Sequence, residues 1–251
     1  MNIYETDKLL AEYLLFHYGS MQEVLPSHML VEDALFYPMR CVTECLDLAA
    51  LPPQARALDL GCAVGRSTFE LARFCSTAIG IDYSRRFIDA AETIRHEGAL
   101  AYARTDEAAL TTPLIATAPA TVDAARVAFE QGDAMNLRPD LGTFDVVLMA
   151  NLIDRLAEPR RCLARLGQLL IAGGQLIITS PYTWLEEFTL RENWLGGFER
   201  DGICVTTLDG LREALEPAFE LSGVHDLPFL IREHARKFQL SIAQASIWRR
   251  K

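Results

Sequence analysis

The chain has 251 residues, enough for one α/β domain with added segments and a large core. Half of its residues are hydrophobic and 23% are charged, which is typical of a globular protein and excludes an intrinsically disordered chain. The formal net charge of −10 repels a phosphate backbone, so a nucleic-acid substrate is not expected.

Membrane, secretory and metal-binding signals are not expected either. No apolar run approaches the roughly 20 residues that a membrane span needs, and the N-terminus lacks the basic start and apolar core of a secretory signal. The six cysteines show no C-x-x-C spacing and mostly lie in apolar stretches, which predicts reduced thiols and no metal site. We therefore expect a cytoplasmic protein.

Two amphipathic segments precede the first predicted strand. Apolar residues at helical spacing predict a helix over residues 6–18 that ends at Gly19. A second helix is predicted over residues 38–49, because its first residue is a proline, which suits the first helical turn. Residues 1–54 are thus expected to form an N-terminal helical cap.

The first predicted strand runs into a glycine turn and then a helix. Residues 58–67 read LDLGCAVGRS, in which Asp59 is followed by Gly61 and Gly65. Glycines without a Cβ let a ligand approach the backbone closely, and the following helix points its free N–H groups at that ligand. The D-x-G-x-x-x-G spacing differs from the G-x-G-x-x-G of dinucleotide-binding proteins. Two glycines alone also suit a turn that serves only packing.

Strand-like and helix-like patterns alternate after this turn, which is typical of a parallel sheet with crossover helices. Residues 98–125 interrupt the alternation with two short strand-like runs, and we predict a β-hairpin insertion there. The last part of the chain has an aromatic loop, a helix and two strands that can pair at the sheet edge. The predicted elements after the turn are helices at 66–74, 85–97, 159–170 and 208–215 and strands at 77–82, 126–131, 144–150, 175–180, 219–226 and 238–248.

Polar residues follow the carboxyl ends of the predicted strands. Asp82 ends the second strand, 21 residues after Gly61, where a carboxylate can accept both hydroxyls of a ribose. Asp133 and Ala134 follow the third strand, and Asn151 follows the fourth, near the switch point where doubly wound folds bind ligands. Singly, Asp82 also suits a helix N-cap and Asp133 a turn. Together they favour a binding site.

This series of motifs resembles class I S-adenosylmethionine (SAM)-dependent methyltransferases. The resemblance implies a Rossmann-like α/β fold with a seven-stranded sheet in the order 3-2-1-4-5-7-6, an N-terminal helical cap and the β-hairpin insertion. We expect a single methyltransferase domain over residues 1–251, with the SAM-binding core at 55–180 and a substrate loop and C-terminal strands at 181–251. SAM is the implied cofactor and S-adenosylhomocysteine the product. The residues assigned to the cofactor are Asp59, Gly61, Cys62, Gly65, Asp82, Tyr83, Asp133, Ala134, Asn151 and Arg40.

The segments that flank this core are similar to the methyltransferases of ovothiol biosynthesis. They read NIYETDKLLAEYLLFHYG from residue 2, FYPMRC from 36, ANLIDRL from 150, SPYTWLEE from 180 and FLIREHARKFQ from 229. The resemblance implies N-methylation of 4-mercaptohistidine (5-thiohistidine) at the imidazole nitrogen next to the side chain, giving ovothiol A. In the better-known arrangement this module is joined to a sulfoxide synthase, which this sequence does not contain. We therefore expect functional pairing with a separate sulfoxide synthase.

Methyl transfer requires the acceptor nitrogen to be held close to the methyl group with its lone pair free. His17 and Tyr4 belong to the N-terminal segment that often covers the active site of small-molecule methyltransferases, and with Asn151 they are the catalytic candidates. A histidine at a helix end beside tyrosines is equally often structural. Arg40 suits a carboxylate of SAM or of the substrate. The predicted substrate contacts are Tyr4, His17, Tyr18, Tyr182, Trp184 and Arg232.

Three other functions are consistent with parts of the sequence. A methyltransferase for another small imidazole or amino acid shares every motif of the core. A SAM-binding protein without catalysis would need the same cofactor residues. A nicotinamide-dependent oxidoreductase is disfavoured by the glycine spacing. In each case the expected ligand is a small molecule, with neither nucleic acid nor membrane as a partner.

Overall fold

The computed structural model describes residues 3–25 and 31–251. Helices and strands alternate through most of it, as predicted. The helices are α1 (Asp7–Tyr18), α2 (Met21–Val24), α3 (Tyr37–Thr43), α4 (Arg66–Leu71), α5 (Arg85–Glu97), α6 (Pro159–Leu169) and α7 (Thr207–Leu215). The strands are β1 (Arg56–Leu60), β2 (Thr77–Asp82), β3 (Ala99–Glu107), β4 (Leu110–Thr117), β5 (Val127–Gln131), β6 (Phe144–Ala150), β7 (Leu170–Ser180), β8 (Phe198–Arg200), β9 (Ile203–Val205), β10 (Phe219–His234) and β11 (Lys237–Arg250).

Seven of these strands form one mixed sheet in the order β10-β11-β7-β6-β1-β2-β5. Neighbours from β5 to β7 are parallel, whereas β11 is antiparallel to both β7 and β10. Numbered by their sequence order within the sheet, the strands read 3-2-1-4-5-7-6, which confirms the predicted topology. The carboxyl ends of the five parallel strands therefore meet at one edge, where doubly wound folds bind their ligands.

Separate hydrophobic cores cover the two faces of the sheet. Along β6, Val146 and Leu148 belong to one core and Val147 and Met149 to the other, because successive side chains of a strand point to opposite faces. Helices α1, α3, α4 and α5 contribute to the first core, and α6 and α7 to the second. This double coverage explains why the sequence of β6 is a continuous apolar run.

The predicted β-hairpin insertion is confirmed. Strands β3 and β4 pair antiparallel in a two-stranded sheet of their own, with Leu100 opposite Ala116. The hairpin is attached to the N-terminal cap by Arg104, whose Nη1 donates to the Glu23 carbonyl at 2.7 Å. A second small hairpin pairs β8, which lies in the predicted loop over residues 181–202, with β9, which follows that loop.

The N-terminal helix has the predicted ends. Thr6 caps α1 by accepting a hydrogen bond from the Leu9 N–H at 3.2 Å, and the Gly19 N–H donates to the Leu15 carbonyl at 2.9 Å. The prediction of one helix over residues 38–49 is wrong. Helix α3 ends at Thr43, and a separate 3₁₀ turn follows after Asp47, whose side chain caps that turn.

Other boundaries differ from the predictions by a few residues. The helix after the glycine turn ends at Leu71 instead of residue 74, and the paired strands β10 and β11 are 16 and 14 residues long. Among the described residues, no helix is long and apolar enough to cross a membrane.

Candidate functional site

A cavity of about 450 Å³ opens at the carboxyl ends of the parallel strands. This volume lies in the range of small-molecule sites. One wall, which we name the strand-end wall, is formed by residues that follow β1, β2, β5 and β6. The other, the aromatic wall, is formed mainly by rings of the N-terminal cap. The strand-end wall comprises Gly61, Ala63, Asp82, Tyr83, Gly132, Asp133, Ala134, Met135 and Asn151, and the aromatic wall Tyr4, Tyr13, Phe16, His17, Tyr37, Phe87, Phe188 and Ile231.

The glycine turn forms the part of the strand-end wall that follows β1. Gly61 has a φ of +75°, and a Cβ on it would lie 3.0 Å from Leu152 Cδ1. Ala63, two residues on, also has a left-handed φ of 47°. Glycine adopts such backbone without cost, whereas other residues are strained there. The turn thus brings bare backbone to the cavity, as the sequence predicts.

Asp82 is held with its carboxylate against the turn. Its Oδ2 accepts a hydrogen bond from the Ala63 N–H at 2.9 Å, and its Oδ1 accepts one from the Ser84 N–H at 2.8 Å. Burial raises its pKa to about 6, although these two backbone hydrogen bonds act in the opposite direction. Asp82 is not the N-cap of α5, because Ser84 caps that helix by accepting from the Phe87 N–H. The carboxylate can therefore serve a ligand.

The predicted residues after β5 also line the cavity. Asp133 accepts a hydrogen bond from the Met135 N–H at 2.8 Å and so forms a tight turn at the end of the strand. A Cβ on Gly132 would lie 2.9 Å from Ile81 Cγ2, so this position too requires the absence of a side chain. Tyr83 lies beside them and is 68% exposed.

Asn151 links the two walls through a chain of hydrogen bonds. Its φ is 51°, and its Oδ1 accepts a hydrogen bond from the Tyr37 hydroxyl at 2.7 Å. The same hydroxyl lies 2.7 Å from Thr179 Oγ1. Burial raises the pKa of Tyr37 well above its usual value, so the phenol stays protonated and donates. With Oδ1 occupied, the Asn151 amide nitrogen is the group left to donate to a ligand.

The aromatic wall is built from rings that contact one another. The Tyr13 ring lies 4.8 Å from that of Phe87 and is stacked on His17 at 5.9 Å, and Phe16 is stacked on Tyr37, also at 5.9 Å. Because Tyr13 and His17 are four residues apart on α1, they lie on the same face of that helix. The wall thus presents flat apolar surface to the cavity.

His17 is the buried polar group of this wall. Its Nδ1 has no hydrogen-bond partner among the described residues. Burial, with a smaller contribution from the charge of Arg66, lowers its pKa to about 3. The imidazole is therefore neutral at pH 7 and a weak proton acceptor. A weak proton acceptor suits a hydrogen bond to a ligand better than the role of a general base.

Arg155 lines the cavity and was not identified from the sequence. It lies in a 3₁₀ turn (Ile153–Arg155) just after Asn151, and its guanidinium carbon is 4.9 Å from the centre of the Phe188 ring. Its position four residues past a strand-end ligand is the signal that could have revealed it. The rings of Tyr13, Phe16 and Phe87 were missed because apolar residues at helical spacing are usually core.

Four predicted cofactor or substrate residues support the turn from outside the cavity. Asp59 is buried, and its Oδ2 accepts hydrogen bonds from the hydroxyls of Ser67 and Thr68, both at 2.7 Å. The remaining three are Cys62, which is buried; Gly65, which is the N-cap of α4 with a φ of +87°; and Tyr18, whose hydroxyl donates to the Val64 carbonyl at 2.7 Å.

Four other predicted residues lie away from the cavity because other groups hold them. Arg40 pairs with Glu44 and donates to the Pro228 carbonyl, and the Tyr182 hydroxyl donates to Gln244 at 3.0 Å. The two others are Trp184, which is buried and donates to Thr207 Oγ1 at 2.9 Å, and Arg232, which is buried in an ion pair with Asp106. The structure gives none of these four a contact with the cavity.

The residues present fit the cofactor that the sequence implies. A carboxylate at the end of β2 suits the hydroxyls of a ribose. The glycine turn brings backbone without a Cβ to the cavity, and Ala134 and Met135 offer small and flexible apolar surface for a base. Among the described residues, no cluster of side chains could hold a metal ion.

Comparisons with known proteins agree with this geometry. A family model described as a methyltransferase domain matches residues 36–218. No curated protein matches the sequence. Solved structures match the fold at low identity. The structure of the 4+2 cyclase SpnF has a TM-score of 0.57 and 18% identity and covers 98% of this chain and 97% of its own. A SAM-dependent methyltransferase from Methanosarcina mazei has a TM-score of 0.53 and 17% identity, with 80% and 95% covered.

Proposed function

The chain belongs to the methyltransferase domain family, and we propose that it methylates the imidazole ring of 4-mercaptohistidine. The general activity of the chain is that of a class I SAM-dependent methyltransferase with a Rossmann-like fold. The proposed methylation site is the ring nitrogen next to the side chain, and the products would be ovothiol A and S-adenosylhomocysteine. A separate sulfoxide synthase would begin the route to the acceptor.

One observation carries the proposal. The cavity that contains Asp82 and the glycine turn continues into a wall of stacked rings with a neutral histidine in it. A flat, polar heteroaromatic ring is the kind of group that such a wall accommodates, since rings stack and the buried Nδ1 needs a partner. Among heteroaromatic acceptors, the similarity of the flanking segments to ovothiol methyltransferases favours 4-mercaptohistidine.

When bound, SAM supplies an electrophilic methyl group on its sulfonium. Asp82 would hold the ribose, and the turn at Gly61 would seat the amino-acid portion of the cofactor. The rings of Tyr13 and Phe16 would exclude water and fix the plane of the acceptor, which brings its nitrogen into line with the methyl group. Tyr4 would help to enclose the acceptor from the N-terminal side.

His17 and Asn151 would orient the acceptor by hydrogen bonds. A neutral imidazole has one nitrogen with a free lone pair and one that carries a proton. A hydrogen bond from the N–H of the acceptor's other ring nitrogen to His17 Nδ1 would select the tautomer whose lone pair faces the methyl group. The Asn151 amide would donate to another polar group of the acceptor and so fix its position. With a pKa of about 3, His17 would act through this hydrogen bond and not as a base.

The proposal is tested by incubating the purified protein with methyl-labelled SAM and 4-mercaptohistidine. We expect the label on the ring nitrogen next to the side chain, located by nuclear magnetic resonance. Label on sulfur, on the other nitrogen or on no product would contradict the proposed acceptor. Since a cyclase shares this fold, turnover must be measured together with S-adenosylhomocysteine binding, and binding without turnover on a panel of imidazoles would indicate a non-catalytic SAM-binding protein.

A further inference from the structure

Arg155 is the single lysine or arginine among the described residues that line the cavity. Its position is fixed by three hydrogen bonds that all leave from Nη1: to Thr183 O at 2.9 Å, Asp154 O at 3.0 Å and Asp154 Oδ2 at 3.2 Å. The Phe188 ring packs against the guanidinium. The Nε and Nη2 atoms carry the remaining three N–H groups, and the Tyr4 hydroxyl interacts with the same guanidinium.

An acid accompanies this arginine. Glu187 precedes Phe188 in the chain, lines the same cavity and is exposed. Two hydrogen bonds hold the loop that carries Glu187 and Phe188. The Thr189 hydroxyl donates to the Leu156 carbonyl at 2.7 Å, and Trp184 donates to Thr207. Arg155 and Glu187 therefore present one positive and one negative group to the same cavity. The backbone segments that carry them are held by the hydrogen bonds given above.

We propose that Arg155 and Glu187 bind the α-carboxylate and the α-ammonium group of the acceptor, so that the enzyme selects free α-amino acids with a planar side chain. This inference rests on the proposed function, because it assumes that the acceptor ring occupies the aromatic wall. An arginine fork matches a carboxylate in shape and charge. An acceptor without the carboxylate loses the charge-assisted hydrogen bonds that the Arg155 guanidinium would donate to it, which is costly.

The carboxylate of SAM is the competing ligand for Arg155. The Tyr4 carbonyl accepts from Ser84 at 3.2 Å, so Tyr4 and the arginine near it lie close to the cofactor side of the cavity. Phe188 and Glu187, however, come from the loop after β7, away from the glycine turn, where the amino-acid portion of SAM is expected. An experiment must therefore measure cofactor and acceptor binding separately.

The experiment titrates three probes by calorimetry into protein saturated with S-adenosylhomocysteine. The probes are L-histidine, histamine, which lacks the carboxylate, and imidazole lactate, which lacks the amine. The variants are Arg155→Gln and Glu187→Gln. The matched controls are Glu186→Gln, an exposed acid next in the chain that does not line the cavity, and Arg161→Gln on the outer face of α6. Thermal unfolding confirms that each variant is folded.

We expect the wild-type protein to bind L-histidine at least tenfold more tightly than either analogue. Arg155→Gln should remove the preference over histamine, and Glu187→Gln the preference over imidazole lactate, while the controls change neither. The affinity of each variant for S-adenosylhomocysteine is measured in a separate titration without the probes. The inference is overturned if the wild type shows no preference, if L-histidine does not bind, or if Arg155→Gln weakens only the binding of S-adenosylhomocysteine. If the preferences hold but 4-mercaptohistidine is not methylated, the proposed acceptor fails and the amino-acid selection stands.

Discussion

The two walls of the cavity are built in different ways. The strand-end wall is made by backbone: Gly61, Ala63 and Gly132 matter through their conformation or their lack of a side chain, and Asp82 is held by two backbone N–H groups. The aromatic wall is made by side chains from distant parts of the chain that pack on one another. A wall fixed by the sheet suits a cofactor that never changes, whereas a wall of side chains can be exchanged to suit a different acceptor.

The largest expected effect is at the strand-end wall. In the proposed site Asp82 would accept two charge-assisted hydrogen bonds from the ribose, together worth about 3 kcal/mol, and Asp82→Ala would remove them. We expect S-adenosylhomocysteine to bind about 100-fold more weakly, measured by calorimetry. Asp89→Ala, an exposed acid on α5, is the matched control. Unchanged affinity in a folded Asp82→Ala protein would mean that this wall does not hold the nucleoside.

The next largest effect distinguishes the roles of the two walls. His17→Ala removes the buried hydrogen-bonding group of the aromatic wall, and we expect kcat/KM for 4-mercaptohistidine to fall about 30-fold, or about 2 kcal/mol. S-adenosylhomocysteine affinity should change less than about threefold. His96→Ala on the exposed end of α5 is the control. A normal rate with the acceptor would remove His17 from the mechanism.

Acidic pH should weaken the binding of S-adenosylhomocysteine at the strand-end wall, because Asp82 becomes protonated. Its pKa of about 6 in the folded protein means that the carboxylate becomes protonated below that pH and loses acceptor capacity. S-adenosylhomocysteine affinity should therefore fall about tenfold between pH 7 and pH 5. In Asp82→Asn the affinity should be lower at pH 7 and nearly constant over this range. A wild-type affinity that rises toward pH 5 would contradict the assignment.

The smallest effect tests the connection between the walls. Tyr37→Phe removes the hydroxyl that donates to Asn151 Oδ1, so the Asn151 amide is no longer held in one orientation, while the aromatic ring of residue 37 still lines the cavity. We expect a loss of about 1 kcal/mol, which is about fivefold in kcat. Tyr182→Phe removes a hydroxyl bound to Gln244 outside the cavity and should leave kcat unchanged. Equal effects of both substitutions would show that Asn151 is not oriented by Tyr37.

Much of the strand-end wall could be predicted from the sequence because local patterns determine it. The bounds predicted for β2, α5 and β6 coincide with those observed, and the sheet order is the predicted one. Asp82, Asp133 and Asn151 lie at the end of a strand or within two residues of it, so the parallel topology alone brings them to one edge. Helix α3 was predicted too long because the cap formed by Asp47 depends on its own side chain and not on apolar periodicity.

The aromatic wall could be predicted only in part, because the direction of its side chains depends on backbone that the sequence does not reveal. Tyr182 has a left-handed φ of 54°, and its hydroxyl meets β11 instead of the cavity. Trp184 follows it into the second hydrophobic core. Arg155 also reaches the cavity, and its position four residues after Asn151 is the one signal of this in the sequence.

The length of the edge hairpin bears on how the enzyme matures during its synthesis. Strand β10 extends past the sheet to the N-terminal cap, where Phe229 packs on Tyr37 with ring centres 4.7 Å apart and Ile231 lines the cavity. Ile231 completes the aromatic wall to which His17 belongs, and more than 200 residues are synthesised between these two. A nascent chain can thus assemble the strand-end wall from neighbouring strands first, and it completes the proposed acceptor pocket only when the last hairpin folds.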